Sequence, residues 1–171
     1  MQRFHYDMNS PVGVLSLVSD GAALIGLYFV EHRHAPARHD RGDQVHDDDL
    51  IDHPIFTRAR DQLTEYFAGQ RQDFDVALRP QGTAFQHRVW AALTTIEFGQ
   101  TASYGQIATA IDVPKASRAV GAANGRNPIS IIVPCHRVIG SNGSLTGYGG
   151  GAARKQALLD MERSITGASL F

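Results

Sequence analysis

Ile131-Ile132-Val133-Pro134-Cys135-His136-Arg137-Val138-Ile139-Gly140 holds the single cysteine of the chain. Three β-branched residues lead into it, which predicts an extended, buried segment. Pro134 has a fixed φ and no backbone N–H, so regular pairing should end just before the thiol. An imidazole and a guanidinium follow. A cysteine is a useful nucleophile only as thiolate, and a nearby cation or a positioned base favours that form. His136 and Arg137 supply one of each. A lone cysteine is more often a small buried hydrophobe, but the context here is polar and rich in glycine. Gly140-Ser141-Asn142-Gly143 and Gly147-Tyr148-Gly149-Gly150-Gly151 lie close behind. So many glycines in one stretch point to a loop where backbone must approach something closely.

Upstream of this stretch, Thr83 before Ala84-Phe85-Gln86 forms a capping-box pattern, threonine with glutamine three residues on. The helix it opens carries Phe85, Val89, Trp90 and Leu93 on one stripe, so Trp90 reads as core. Ser103-Tyr104-Gly105-Gln106-Ile107-Ala108 opens a short helix closing near Ile111, and Asp112-Val113-Pro114 is a turn. Lys115 to Asn124 reads as a second helix rich in small residues, which lets a backbone approach closely. The pair is a helix-turn-helix, or a plain helical hairpin if it binds nothing. Asn124-Gly125-Arg126-Asn127-Pro128 is a run of turn signals. Ala152 to Arg163 forms a last helix, with Leu158 and Leu159 facing inward.

The N-terminal part reads differently. Phe4 to Met8, Val12 to Val18 and Ala23 to Val30 are apolar runs separated by Asn9-Ser10-Pro11 and Ser19-Asp20-Gly21, the pattern of an antiparallel meander. Residues 31–50 hold four histidines and a run of acids with no metal-ligand spacing, so a solvated or mobile loop is expected there. Ile51 to Phe67 has apolar positions every four residues and predicts an amphipathic helix stopped by Gly69. Asp73 to Leu78 alternates and predicts another strand. Arg79-Pro80-Gln81-Gly82 is the expected boundary between a unit 1–79 and a unit 80–171.

The chain has 171 residues and 43% apolar content, ordinary for a globular protein. No apolar run is long enough for a bilayer, and Met1 to Tyr6 lacks a signal-peptide core. One cysteine excludes an internal disulfide and fits a reducing cytoplasm, the expected location, with no membrane partner. The net charge of −1 hides an asymmetry. Residues 1–79 carry eight Lys+Arg against thirteen Asp+Glu, whereas 80–171 carry eight against four. The half with the cysteine is the basic half, the one to place on a polyanion.

Pro134-Cys135-His136-Arg137 followed by Gly147-Tyr148-Gly149-Gly150 resembles the active-site signature of the O6-alkylguanine-DNA alkyltransferases. The resemblance is strong over about the last ninety residues and general in layout before them. It implies an α+β protein, with a small N-terminal antiparallel sheet and helix and a mostly helical C-terminal domain containing the helix-turn-helix. It also implies irreversible, stoichiometric transfer of an alkyl group from O6-alkylguanine in double-stranded DNA to Cys135 of a monomer, with no cofactor. Cooperative clustering on DNA is compatible with the resemblance. Some members carry structural zinc on cysteines and histidines near the N-terminus; those cysteines are absent here, and no metal site is carried over.

Residue roles follow from the same resemblance. Cys135 resembles the acceptor, His136 the base that takes the thiol proton, and Glu162 the carboxylate that orients His136. A carboxylate late in a helix opposes the helix dipole, so Glu162 has some other reason to be there. Tyr104 resembles the tyrosine that assists guanine as leaving group, and Asn127 the asparagine bracing the turn before the site. Tyr148, Gly149, Val138 and Pro134 match positions around the alkylguanine. Gly149 stands where many members have serine, so only its backbone role carries over. The helix with Lys115, Ser117, Arg118, Ala119 and, just beyond it, Arg126 resembles the DNA-binding segment, laid in the minor groove with Arg118 filling the stack left by a flipped nucleotide. Three other readings compete, one of them a thiol hydrolase, which would need turnover beyond one equivalent. A lesion-binding protein of the same fold would flip alkylated bases without repairing them, but such relatives lack the cysteine. A helix-turn-helix regulator with a redox thiol would need a dimer interface and major-groove readers.

Overall fold

A computed structural model describes residues 1–167. Three strands, β1 (Phe4–Met8), β2 (Leu15–Ser19) and β3 (Leu24–Phe29), form the antiparallel meander. They are shorter than the apolar runs: Val12 is half-buried, and Val14 and Val30 are exposed. A fourth strand, β4 (Asp43–Gln44), pairs parallel to β1, giving the order β3-β2-β1-β4. This corrects the reading of 31–50 as merely solvated. The segment is tied to the sheet edge, and Val45 and Leu50 are buried in the core. Helix α1 (Pro54–Phe67) begins at its proline, the residue best suited to the first helical turn. The residues before it, Asp47–Asp52, make a 3₁₀ turn.

The strand expected at 73–78 is absent. Leu24 N–H donates to Ala77 O at 2.8 Å and Arg79 N–H to Leu24 O at 2.7 Å, and the contact ends there. Phe74, Val76 and Leu78 still turn one face to the core. The alternation is therefore met by an extended segment on the sheet edge, without a ladder.

Helix α2 (Ala84–Leu93) starts at the Thr83–Gln86 capping box. Trp90 is 3% exposed and donates its indole N–H to Ala123 O at 2.9 Å. A two-residue strand, β5 (Ala102–Ser103), leads into α3 (Tyr104–Ala110), which Ser103 caps. Helix α4 (Ser117–Gly125) begins two residues later than expected, because Ala116 N–H closes a turn on Val113 O. Lys115 thus lies in the turn. Strand β6 (Val138–Ile139) pairs parallel to β5. Helix α5 (Ala152–Thr166) closes the described chain, one turn longer than its apolar pattern.

Ile131 to Val133 are buried as expected but are not extended. They form a tight turn in which Ile132 N–H reaches Ser130 O at 2.8 Å and Val133 N–H reaches Ile129 O at 3.1 Å. Ile131 has φ +70, a left-handed conformation costly for a β-branched residue. Cys135 opens a 3₁₀ turn, Cys135–Arg137, instead of ending a strand. Burial drives those three side chains inward; short-range hydrogen bonds of the turn, and not strand propensity, set their backbone.

Candidate active site

Asn127 shapes the turn that delivers the cysteine. Its Nδ2 donates to Ile129 O at 3.3 Å and Val133 O at 2.8 Å, and its Oδ1 accepts from Ile129 N–H at 3.0 Å. Asn124, on α4, donates to Cys135 O at 3.3 Å. Cys135 is 3% exposed. Burial pushes its thiol above the ordinary value, while Asn127, the Lys155 cation and Ser130 pull the other way. The resting group is a thiol, which needs a proton acceptor before it can attack.

A group able to accept a proton follows in the chain. The 3₁₀ turn carries His136 inward to full burial, with Nε2 2.7 Å from Glu162 Oε1. Glu162 arrives from α5, where Lys155, Leu158, Leu159 and Glu162 recur at the spacing of a buried helix face. The stripe that would be apolar throughout carries a cation at one end and a carboxylate at the other. Burial works against the charge on Glu162, but the His136 and Arg137 bonds outweigh it and hold the carboxyl at about 2. As a carboxylate it only accepts, so His136 Nε2 bears the hydrogen and Nδ1 carries the lone pair. Nδ1 is buried and has no hydrogen-bond partner among the described residues. Burial lowers the His136 pKa, and Glu162 only partly restores it. The imidazole is neutral at neutral pH, with a free basic nitrogen.

Arg137 does not serve the thiol. Its Nε and Nη2 bind Glu162 at 2.9 Å each and its Nη1 donates to Ile96 O at 2.7 Å. Glu162 Oε2 also accepts from Gly99 N–H at 3.1 Å, and Oε1 from the Tyr66 hydroxyl at 2.7 Å. The cation facing the thiol is Lys155, which the sequence reading passed over. Its Nζ donates to Val138 O and lies 6.0 Å from the Tyr104 ring centroid and 5.8 Å from that of Tyr148. Burial lowers its pKa, and the charge on Cys135 raises it. A lysine beside two leucines on a helix reads as a solvated charge; its position seven residues before Glu162 was the usable signal.

Tyr104 and Tyr148 both feel the cysteine, since burial first and then the Cys135 charge raise both phenols. The Tyr148 hydroxyl is buried and has no hydrogen-bond partner among the described residues. The Tyr104 hydroxyl donates to Thr146 O at 2.8 Å, at the mouth of an open cavity of about 570 Å³. Ser117, Arg118, Gly121 and Gly147 line the same cavity, so α4 and the glycine-rich loop face each other across it. Arg118 is exposed at that cavity and Ser117 half-buried, while Ala119, Lys115 and, at the end of α4, Arg126 are exposed. Pro134 and Val138 are buried on either side of the Cys-His-Arg turn. Gly149 contacts the N-terminal part: its carbonyl accepts from Arg33 N–H at 2.8 Å, and a Cβ there would meet His32 Nε2 at 2.5 Å. A larger groove of about 940 Å³ lies beside α1, lined by residues such as Gly21, Leu50, Ile55 and Val76. None of Cys135, His136, Glu162, Lys155, Tyr104 and Tyr148 lines it, and of these Tyr104 lines the smaller cavity.

Two family models match. The 6-O-methylguanine DNA methyltransferase ribonuclease-like domain matches residues 5–80, and the DNA binding domain of the same name matches 84–164. A methylated-DNA–protein-cysteine methyltransferase of Mycobacterium tuberculosis is 52% identical over 167 residues, 97% of this chain and 96% of that protein. One from Methanosarcina acetivorans is 48% identical over 91% of this chain and 95% of its own length. The crystal structure of the M. tuberculosis O6-methylguanine methyltransferase superposes with a TM-score of 0.86 at 48% identity, covering 99% of this chain and 98% of that one. The M. tuberculosis protein in complex with DNA gives 0.86 at 49% identity over 95% and 94%. With both family models matched across nearly its whole length, the chain belongs to the methylated-DNA–protein-cysteine methyltransferases.

Proposed function

We propose that this chain repairs DNA by taking the alkyl group from O6-alkylguanine onto Sγ of its own Cys135, once per molecule. The base is turned out of the duplex into the cavity between Tyr104 and the Gly147 loop, because a stacked base cannot reach a thiol that is 3% exposed. The observation that carries this reading is the buried Glu162–His136 pair beside Cys135, with Nδ1 of His136 free to accept a proton. In the reaction an S–C bond forms and the C–O6 bond breaks. The thiol proton passes to His136 Nδ1, and Glu162 stabilises the resulting imidazolium. The guanine leaves with a proton at a ring nitrogen, for which Tyr104 is the donor once its hydroxyl exchanges Thr146 O for the purine. Lys155 favours the thiolate. The product is a thioether, which a base cannot hydrolyse as it can a thioester, so turnover stops at one.

The basic part of the chain, 80–171, is proposed to carry the chemistry and the DNA contacts through Lys115, Ser117, Arg118, Ala119 and Arg126, with the protein acting as a monomer. The test is intact and peptide mass spectrometry after mixing with a duplex containing O6-methylguanine. One methyl per protein, mapped to Cys135 and reaching a limit of one equivalent, is expected. Tight binding to the lesion with unchanged protein mass would overturn the proposal and favour a lesion sensor.

A further inference from the structure

We propose that Tyr66, on α1 of the N-terminal part, is a positioning residue of the transfer site, holding Glu162 in line with His136 and limiting how strongly it binds the imidazole. The inference rests on the reading above. Tyr66 lies on the buried stripe of α1 with Ile55, Phe56, Ala59, Gln62 and Leu63, and on that basis alone it would be an ordinary core aromatic. Its ring does sit among aromatics, with centroids 5.1 Å from Phe67, 5.4 Å from Phe74 and 5.8 Å from Phe98. The hydroxyl is what sets it apart. It donates at 2.7 Å to Glu162 Oε1, the same oxygen that His136 Nε2 approaches at 2.7 Å.

The carboxylate thus has its orientation set from two directions. Arg137 and Gly99 N–H hold Oε2, leaving Oε1 to face the imidazole. Tyr66 then shares Oε1 with His136 and Arg137 Nη2. The phenol is fully buried, and both burial and the Glu162 charge keep it protonated, so it remains a donor. A hydrogen bond to a charged acceptor restrains that acceptor and draws charge from it. Without the hydroxyl, Oε1 has one competitor fewer and interacts more strongly with the imidazolium. The carboxylate also loses its restraint from the side of α1.

The test is Tyr66→Phe in the full chain, which keeps the ring and removes the hydroxyl. NMR titration of the His136 ring reads the first effect without requiring transfer; its pKa is expected to rise by about half a unit. The single-turnover methylation rate on duplex at neutral pH is expected to fall roughly three- to tenfold, the scale of one ordinary intramolecular hydrogen bond. The acid limb of the rate profile should move up with the His136 titration, and affinity for unmodified duplex should be unchanged. A fall in thermal midpoint with an unmoved His136 titration and rate profile would overturn the inference and leave Tyr66 as packing alone. Failure of Tyr66→Phe to fold would do the same. If the wild-type protein gains no methyl, the reading of function fails instead, while the titration still judges Tyr66.

Discussion

Three charged or titratable side chains, His136, Lys155 and Glu162, are fully buried around one cysteine. Burying a charge costs several kcal/mol unless partners recover it. Glu162 recovers it from Arg137, His136, Tyr66 and Gly99, which has a consequence for stability. Its folded pKa of about 2 lies below the ordinary glutamate value, so its contribution is present above about pH 4.5 and is lost as pH falls towards 2. That contribution is on the order of 3 kcal/mol. Glu162→Gln is expected to destabilise the protein at neutral pH by about 3–5 kcal/mol, because it leaves Arg137 buried without its counter-charge. The gap to the wild type should narrow as pH approaches 2. Urea unfolding at several pH values measures this, and a gap independent of pH would refute the assignment. His136 has its pKa lowered by burial, so the base stays unprotonated to below the ordinary imidazole value. The acid limb of the methylation rate should therefore fall below about pH 6.5; a limb above 7 would mean that another group limits the reaction.

At the level of elements, local side-chain chemistry was legible where it is self-contained. The Thr83–Gln86 box needs only four residues, and so does the Ser103 cap that starts α3. Both helices begin where their caps stand. The turn at Ile131 to Val133 was not legible, because Asn127 and backbone bonds four residues apart override the extended preference of three β-branched residues. Asp73 to Leu78 shows the reverse: an alternating pattern needs a partner strand before it becomes a ladder, and only Leu24 is within reach. Cys135 and His136 stood out in the sequence because the signature fixes their neighbours, and Glu162 because its charge opposes the helix dipole at a position the resemblance also marks. Lys155 and Tyr66 were missed because each looks ordinary on its own helix, and only the packing of α5 and α1 brings it to the site. The element whose role is most open to test is α4. Arg118 is exposed on the cavity rim, facing the glycine-rich loop. If it fills the gap left by a flipped base, Arg118→Ala loses part of the few kcal/mol that flipping costs. Repair in duplex should then slow by about tenfold or more, while reaction with free O6-benzylguanine, which needs no flipping, should hold its rate. Equal losses on both substrates would reject the role.

The charge asymmetry and the two matched segments, 5–80 and 84–164, describe two halves of sequence, but the hydrophobic core does not divide with them. One buried cluster runs from Tyr6 and Leu15 through Phe56 and Tyr66 to Trp90, Val138 and Leu158. The open side of β3 is the seam. Leu27 N–H donates to Pro128 O at 2.8 Å and Ser130 N–H to Leu27 O at 3.3 Å, so the sheet edge is closed by the very turn that presents the cysteine. Phe29 and Tyr148 meet at 5.9 Å between ring centroids, and Arg154 donates from α5 to Val30 O at 2.7 Å. An exposed strand edge is a liability, and here the turn that leads to Cys135 covers it. Separating the halves would strip β3 of these partners, leave the Tyr66–Glu162 bond unmade and expose apolar surface on both sides, so neither half opens alone at low cost. The intact chain is therefore expected to unfold in one cooperative transition. Trp90 fluorescence reports the C-terminal part, and far-UV circular dichroism reports both parts. Their urea curves should superimpose, with one midpoint and one slope. Two separated midpoints would show that residues 1–79 and 80–171 are independent thermodynamic units, and that the bonds across β3 are too weak to couple the sheet to the turn that holds Cys135.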